Sequence, residues 1–423
     1  MLTPDYLLRI SEGAESISEA LHNDIIRRIV ERIMRRLDRG DTYILTAQDK
    51  WQLETLQQAG YLLEDIQKEI AAKTPYQMRE IRDAMQDAGV RALAYDNGIY
   101  RAAGLLEPLD GMTEQTAADF LLRESPHYIR LMQRDYEATL GEWKNFTRTM
   151  PQTAYQLYVE QCDKAYHLVN SGAVSYTQAF REAINTICKE GAKVVYPSGW
   201  TDTIETATLR AVRTGTAQAT AAITDARMDE MGWDIVLVSA HMGARYGDGG
   251  ENFTNHYWWQ GKFYSRSGND KRFPPFSVCG MGDVQGIEGA NCRHSYGPGD
   301  GVNNPFEHYD SEENKRIYDL TQRQRAMERR IRKTKREVMG LKAAVDNAPT
   351  DEMRAVEDAE YQQKAALLER QNKAYNEFCE GNDLRPLQDR LTIAQWNRKQ
   401  AAAARGAAKR HNKRQGGQDD LPV

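Results

Sequence analysis

The chain has 423 residues, of which 28% are charged and 40% hydrophobic, and its formal net charge at pH 7 is −5. More than one folded unit is expected at this length, and the small negative charge gives no general reason to expect nucleic-acid binding. No apolar run is long enough to span a bilayer, no secretory signal is recognisable, and five widely spaced cysteines favour reduced thiols in a cytoplasmic setting.

Residues 1–195 are predicted to form an elongated, all-helical N-terminal region. Apolar residues between Ile17 and Leu37 recur at steps of three and four, which is typical of a helix with one buried face. Gly40-Asp41 is predicted to end this helix. Turn and capping residues predict four further helix starts, at residues 46–49, after Pro75, at Thr113 and at Pro126. Further helices are expected between residues 151 and 190, and no strand-like alternation precedes residue 190.

Residues 196–308 are predicted to hold a connecting helix and a small α+β module. After a break at residues 197–200, residues 201–231 carry small side chains along one face, which favours a single closely packed helix. Between Gly232 and Gly301 lie 14 of the 31 glycines and three of the seven tryptophans. That glycine density indicates tight turns, and the β-branched run 234–238 predicts a buried strand.

Residues 309–395 are predicted to form a charged helical arm. A long helix from Ser311 is interrupted at residues 347–349, and a second helix runs from Asp351 to about Cys379. Sparse apolar positions among charges of both signs favour a helical hairpin or coiled coil. Because the apolar stripe is thin, residues 311–423 are expected to be separable from the rest of the chain.

Residues 396–423 are predicted to be a basic, disordered tail. Seven lysines and arginines lie among alanines between Arg398 and Arg414, and the chain closes with the polar sequence QGGQDDLPV. Such a cluster could contact the phosphates of double-stranded DNA, with a strong dependence on salt. A solvated helix end would have the same composition.

Six residues of the central module could form a functional cluster: His241, Arg245, His256, Cys292, Arg293 and His294. One interpretation is structural, with buried, hydrogen-bonded histidines, an arginine bound to loop carbonyls and a packed thiol. A second is a zinc site formed by Cys279, Cys292, His294 and either His241 or His256, because zinc prefers four thiolate or imidazole ligands. The chain has no CxxC or HxxxH pair, so spacing alone does not single out zinc.

A third interpretation is hydrolysis of RNA or DNA phosphodiesters. His241 and His256 would then act as acid and base, and Arg245 or Arg293 would hold the phosphate. This chemistry requires the side chains to converge on an open cleft, whereas a structural module would bury them in hydrogen bonds.

Four segments follow one another in a distinctive order: LRAVRTGTAQA, WDIVLVSAHMGAR, NHYWWQGKFY and GIEGANCRHSYGP. In this order they resemble the minor capsid, or minor head, proteins of tailed bacteriophages. The closing module is also similar to that of Mu-type head morphogenesis proteins. The resemblance covers most of the chain and is most specific between Trp233 and Tyr296.

This resemblance implies a structural, portal-associated protein of the phage head that acts in assembly and in DNA packaging or delivery. It implies the portal protein and other capsid proteins as partners, a location in the virion and, during assembly, in the host cytoplasm, and no membrane. It assigns no catalytic residue and no required cofactor. A zinc site in the central module stays one of the alternatives. We therefore predict a mainly α, non-enzymatic protein. The alternative is a phosphodiesterase or zinc-dependent enzyme module using His241, His256, Arg245 and Arg293.

Overall fold

The computed structural model describes residues 1–37 and 48–416. The predicted end of the first long helix at Gly40-Asp41 lies outside the described residues, as do Thr46 and the last seven residues of the chain. Within the described part, no helix is both long and apolar enough to cross a membrane.

Most regular structure is helical, which confirms the predicted mainly α class. Numbered in chain order, the helices are α1 (Pro4–Arg9), α2 (Glu12–Leu37), α3 (Gln48–Ala102), α4 (Glu114–Glu124), α5 (Pro126–Asn170), α6 (Tyr176–Glu190), α7 (Ile204–Met231), α8 (His256–Trp259), α9 (Ser311–Asn347), α10 (Asp351–Gly381) and α11 (Arg398–Gly416). The strands are β1 (Val194–Val195), β2 (Thr201–Asp202), β3 (Ile235–Val238), β4 (Phe263–Ser265) and β5 (Tyr296–Pro298). Two 3₁₀ turns span Phe276–Cys279 and Gln388–Leu391.

The chain divides into two compact units, and each unit is assembled from three segments. Unit 1 combines Met1–Glu15, Tyr76–Lys144 and Thr208–Gln322, and unit 2 combines Ser16–Pro75, Asn145–Ala207 and the chain from Arg323 onward. This division differs from the predicted linear regions 1–195, 196–308, 309–395 and 396–423. All five boundaries between segments lie inside helices. Apolar periodicity locates a helix, but it does not tell which partner each half of the helix packs against.

Pro75, after which a new helix was predicted to start, lies inside a longer helix, and so does Pro151. Helix α3 continues through Pro75, and α5 continues through Pro151. A proline inside a helix removes one backbone hydrogen bond at a cost of about 3 kcal/mol. In α3 the apolar face is buried on both sides of the proline, as at Ile66 and Ile81, and this burial offsets the loss.

The core of unit 1 surrounds a three-stranded antiparallel sheet with strand order β4-β3-β5. The predicted strand at residues 234–238 is confirmed as β3, whose Val236 and Val238 are fully buried. Trp233 precedes it, and its indole N–H lies 3.0 Å from the carbonyls of both Ile235 and Gly299. Aromatic and sulfur side chains fill the same core: Tyr100, Met228, Trp259, Tyr264, Phe276, Cys279, Cys292 and Tyr296.

In unit 2 the predicted break at residues 197–200 is the turn of a two-stranded ribbon. Strands β1 and β2 pair antiparallel, with Val194 opposite Asp202. The turn is closed by hydrogen bonds of 2.8 and 2.9 Å between Tyr196 and the backbone of Gly199 and Trp200. Gly199 has φ +82°, a conformation that favours glycine.

Helix α9 makes close contacts with residues that precede the predicted arm. In unit 1, the fully buried Asn314 of α9 accepts hydrogen bonds from the backbone N–H groups of Gly243 and Ala244, both at 2.9 Å, and donates to the Ala244 carbonyl at 3.1 Å. In unit 2, a Cβ added to Gly340 would lie 2.5 Å from the Cys188 sulfur, so α9 packs there without room for a side chain. These contacts argue against the predicted separability, because a buried polar side chain and a closely packed glycine of α9 both contact residues outside 311–423.

The basic tail predicted to be disordered is helical from Arg398 to Gly416. Alanine has the highest helix propensity, and its small side chain allows close packing. Ala404, Ala407 and Ala408 are buried, and α11 packs against α10. The opposite face is cationic, since all seven of its lysines and arginines are exposed: Arg398, Lys399, Arg405, Lys409, Arg410, Lys413 and Arg414.

Candidate functional site

The sheet of unit 1 brings the residues that follow β3 beside those that precede β5. Beyond the strands, the N–H of Ser239 donates to the Ser295 carbonyl at 2.9 Å, and the N–H of Ser295 donates to the Ser239 hydroxyl at 3.0 Å. The imidazoles of His241 and His294 consequently stack, with centroids 4.6 Å apart and planes at 21°. Pairing of the strands therefore brings together two of the six residues of the predicted cluster.

Helix α8 supplies the third histidine. Asn255 caps this short helix by accepting a hydrogen bond from the N–H of Trp258 at 3.3 Å, and its amide donates to the Gly250 carbonyl at 2.9 Å. His256 is the first helical residue, and its ring lies 4.5 Å from that of the buried Trp259. The cap fixes where His256 enters the core.

The thiol of Cys292 lies between two imidazoles. Its sulfur is 3.7 Å from Nδ1 of His256 and 3.6 Å from Nδ1 of His294. It also accepts the backbone N–H of His294 at 3.4 Å. All three side chains are buried, and their potential ligand atoms lie within 4.8 Å of one another. Among the described residues, this is the only group of three or more histidines, cysteines or acids whose ligand atoms lie close enough together to hold a metal ion.

The outer nitrogens of both imidazoles bind oxygen acceptors. Nε2 of His256 lies 2.8 Å from the Gln285 carbonyl, and Nε2 of His294 lies 3.0 Å from Oε1 of Gln260. The same Gln260 oxygen accepts the backbone N–H of His241 at 3.0 Å, which fixes the orientation of the amide. Since these oxygens only accept, each Nε2 carries the proton and each Nδ1 presents a lone pair to the Cys292 sulfur.

Gln260 was not predicted as part of the cluster. It follows the Trp258-Trp259 pair in the NHYWWQGKFY segment, and it is buried. A single glutamine gives no spacing signal, so only the burial of a polar residue beside an aromatic pair could have marked it. Its Nε2 has no hydrogen-bond partner.

Arg245 fixes the loop that closes the cluster. Its guanidinium donates to the Gln285 carbonyl at 3.1 Å and to the Ala290 carbonyl at 2.8 Å. The loop it holds is tightly wound, with positive φ at Glu288 and Asn291, of 58° and 62°. Arg293, predicted to share the phosphate-binding role, places Nη2 3.2 Å from Nδ1 of His241.

Burial determines the ionisation of the three central groups. Burial, with a smaller contribution from the positive charge of Arg245, lowers the pKa of His256 to about 3. Burial, followed by the nearby charges of His241 and His256, lowers the pKa of His294 well below its usual value. Burial also raises the pKa of the Cys292 thiol to about 11. His256 is therefore neutral near pH 7 and is a poor general acid there.

The structure separates the predicted zinc ligands into two groups. Cys292 and His294 lie together, and His256 is the histidine that joins them. Cys279 is not part of this group, although it shares the core of unit 1 with Cys292. It lies beside Tyr264, and burial raises the pKa of its thiol to about 12. All five cysteines are buried.

The family described as phage minor capsid protein 2 matches residues 2–377. The chain belongs to this phage minor capsid family. Comparisons with curated proteins and with solved structures give no match.

Family membership confirms the resemblance to phage minor capsid proteins. It supports a structural role in the phage head, a location in the virion and contacts with other phage head proteins. A structural capsid family also favours the interpretation that the chain is not an enzyme.

Proposed function

We propose that this minor capsid protein associates with the portal during head assembly in the host cytoplasm, and that its central module is a rigid structural element. The hydrogen bonds of Arg245 support a structural role for the central module. Its guanidinium binds two backbone carbonyls of one loop. Such an arginine fixes a loop, whereas a phosphate-binding arginine keeps donors available to the ligand.

Exposed apolar side chains on α3 support a role in binding other head proteins. Leu53 is 70% exposed, Leu56 is 47% exposed and Tyr61 is 46% exposed. Leu53 and Leu56 lie three residues apart and share a helix face. Apolar residues exposed together on one face are typical of protein interaction sites.

Co-expression with the portal protein of the same phage tests the association. We expect the full chain to co-purify with the portal and to cross-link to it. Replacing both Leu53 and Leu56 with Gln should weaken this co-purification, whereas the matched change of Phe120, 68% exposed on α4, should leave it intact. Co-purification with other head proteins but not with the portal would overturn the portal assignment and leave the capsid role in place.

For α11 we propose a contact with double-stranded DNA during packaging or delivery. Its exposed cations stand on the face opposite the buried alanines. Binding through phosphates should weaken steeply with salt, and replacing Lys409, Lys413 and Arg414 with Gln should lower the salt slope by about one for each cation removed. DNA titrations at several salt concentrations measure both quantities. An unchanged slope in the triple variant would overturn this contact.

A further inference from the structure

We propose that His256, Cys292 and His294 bind one zinc ion through Nδ1, Sγ and Nδ1, and that this ion ties α8 to the segment that leads into β5. The proposal concerns the stability of the central module and does not depend on the portal or DNA contacts. Of the donors that the sequence leaves open, it keeps His256, Cys292 and His294. It excludes Cys279 and His241.

The first argument is the spacing of the donors. Zinc bonds are about 2.3 Å to sulfur and about 2.0–2.1 Å to imidazole nitrogen, so in a tetrahedral site sulfur and nitrogen lie about 3.5–3.6 Å apart. The sulfur of Cys292 is 3.6 Å from one Nδ1 and 3.7 Å from the other. Both pairs are therefore already at the separation that an ion between them requires.

The second argument is the orientation of the imidazoles. Metal-binding histidines usually donate their other ring N–H to a carbonyl or carboxylate, which fixes the tautomer. His256 donates Nε2–H to the Gln285 carbonyl, and His294 donates Nε2–H to Oε1 of Gln260. Both Nδ1 lone pairs consequently face the sulfur. Arg245 and the capping Asn255 hold the backbone on either side of this arrangement.

The third argument is a count of protons. The Cys292 thiol has one hydrogen, so it can donate to one of the two Nδ1 atoms and leaves the other lone pair facing sulfur without a donor. A zinc ion displaces that hydrogen as a proton released to solvent and accepts the thiolate and both lone pairs. Neither Nδ1 has to lose a proton, because each imidazole carries its hydrogen on Nε2, which donates to an oxygen acceptor.

The arrangement also indicates what the ion would do. Three protein donors leave one position of a tetrahedron for water. His256 and Cys292 are 36 residues apart in the chain. An ion between them closes the loop that contains β4 and the turn Phe276–Cys279, and closing a loop of this length stabilises the folded state.

The test uses the full-length chain purified from zinc-containing medium without a chelator. Elemental analysis should find about one zinc per chain, and X-ray absorption at the zinc edge should show one sulfur and two imidazole nitrogens. Both measurements are made on the wild-type protein, so they do not depend on whether a variant folds. A folded, metal-free chain would overturn the proposal, as would an ion with two sulfur ligands.

Two matched cysteine variants identify the donor. Cys292→Ala should lose the zinc, whereas Cys279→Ala, which removes a buried thiol of the same core, should retain it. Circular dichroism establishes that each variant is folded. Where Cys292→Ala does not fold, cobalt replaces zinc in the other two proteins. The thiolate-to-cobalt absorption band should then be the same in the wild type and in Cys279→Ala. Zinc retained by a folded Cys292→Ala, or lost from Cys279→Ala, would contradict the assigned donor set.

Discussion

Buried histidines have different partners in the two units. In the central module of unit 1, His256 donates to the carbonyl of Gln285 at 2.8 Å, and His294 donates to the amide oxygen of Gln260 at 3.0 Å. In unit 2, Nδ1 of His22 lies 3.0 Å from the carboxylate of Glu205. The two histidines of unit 1 therefore have neutral partners, whereas the histidine of unit 2 has a carboxylate partner.

The cluster in unit 2 is held by an arginine. Nη1 of Arg336 lies 2.8 Å from Glu205 and 3.0 Å from Glu19. Burial alone would raise the pKa of Glu205, but the charges of Arg336 and His22 together hold that pKa well below its usual range. Burial, followed by the charge of Glu205, raises the pKa of Glu19 to about 7.

The contrast follows from the backbone. In loops, carbonyls are free to accept hydrogen bonds, so Arg245 and His256 find neutral partners there. In long helices the carbonyls are used within the helix, so buried polar side chains pair mainly with other side chains. Pairing between side chains is strongest when it is ionic. The type of element therefore sets the chemistry of the buried cluster.

The largest expected effect comes from removing the arginine of unit 2. Arg336→Met leaves Glu19 and Glu205 buried without their shared guanidinium, which should lower the free energy of unfolding by about 3–5 kcal/mol. Urea denaturation followed by circular dichroism measures this loss. The control is Arg354→Met, since Arg354 is 51% exposed and pairs with a fully exposed Asp351; it should cost less than about 1 kcal/mol. Equal losses in the two variants would contradict an ionic basis for the packing of unit 2.

A second effect depends on pH. Burial, followed by the like charge of Glu360, raises the pKa of Glu357 to about 8, although Arg181 opposes this. Because the folded-state pKa exceeds the ordinary value of 4.5, the wild type should lose stability as the pH rises from 4.5 to about 8. The loss is about 1.4 kcal/mol for each pH unit between these two values.

Glu357→Gln should remove this dependence. The difference in unfolding free energy between the variant and the wild type should therefore grow with pH up to about 8 and then level off. Urea denaturation at pH 5 and pH 8.5 measures the change, and the exposed Glu352→Gln on the same helix serves as the control. A difference that does not vary with pH would show that Glu357 ionises normally in the folded protein.

The third prediction concerns Asn314 of α9. Asn314→Ala leaves the buried N–H groups of Gly243 and Ala244 without their acceptor, at a cost of about 1–3 kcal/mol. Hydrogen exchange should become faster at the backbone amides of Gly243 and Ala244. Asn347→Ala near the exposed end of α9 is the matched change and should have little effect. Unchanged protection at Gly243 would mean that α9 does not stabilise the central module.

The smallest effect separates backbone strain from packing at two glycines, Gly104 before the glycine-rich module and Gly280 within it. Gly104 and Gly280 both have positive φ, of 76° and 67°, but a Cβ on Gly104 would meet open space. On Gly280 it would lie 2.7 Å from Cβ of Phe253. Gly104→Ala should cost about 1–2 kcal/mol for its backbone conformation alone, and Gly280→Ala should cost more. Thermal denaturation compares them, and equal losses would show that the loop around Gly280 can move.

Sequence patterns predicted where helices and strands lie better than they predicted which parts of the chain these elements pack against. The apolar steps before Leu37 and the β-branched run at residues 234–238 predicted α2 and β3, because those signals are local. The continuation of α3 through Pro75 and the burial of alanines in α11 depend on distant partners. No local pattern reports such partners, so the helix start predicted after Pro75 and the disorder predicted for residues 398–416 were wrong.

The same limit applies to the candidate site. The residue types in the cluster were recognisable, since histidine, cysteine and arginine are concentrated between His241 and His294. The choice of His256 over Cys279 beside Cys292 depends on how α8 and the turn Phe276–Cys279 fold back on the sheet. Gln260 and Asn314 act through a single side-chain amide each, which has no sequence signature.

The hydrogen bonds that join Leu2 to Ser295 link residues 293 positions apart. The backbone N–H of Leu2 donates to the Ser295 hydroxyl at 3.0 Å, and that hydroxyl donates back to the Leu2 carbonyl at 2.7 Å. During synthesis on the ribosome, the first residues of unit 1 must therefore wait for β5 to emerge. Unit 2 likewise needs its last segment, from Arg323 onward. Both units should complete folding late in translation, with their early helices exposed to chaperones until then.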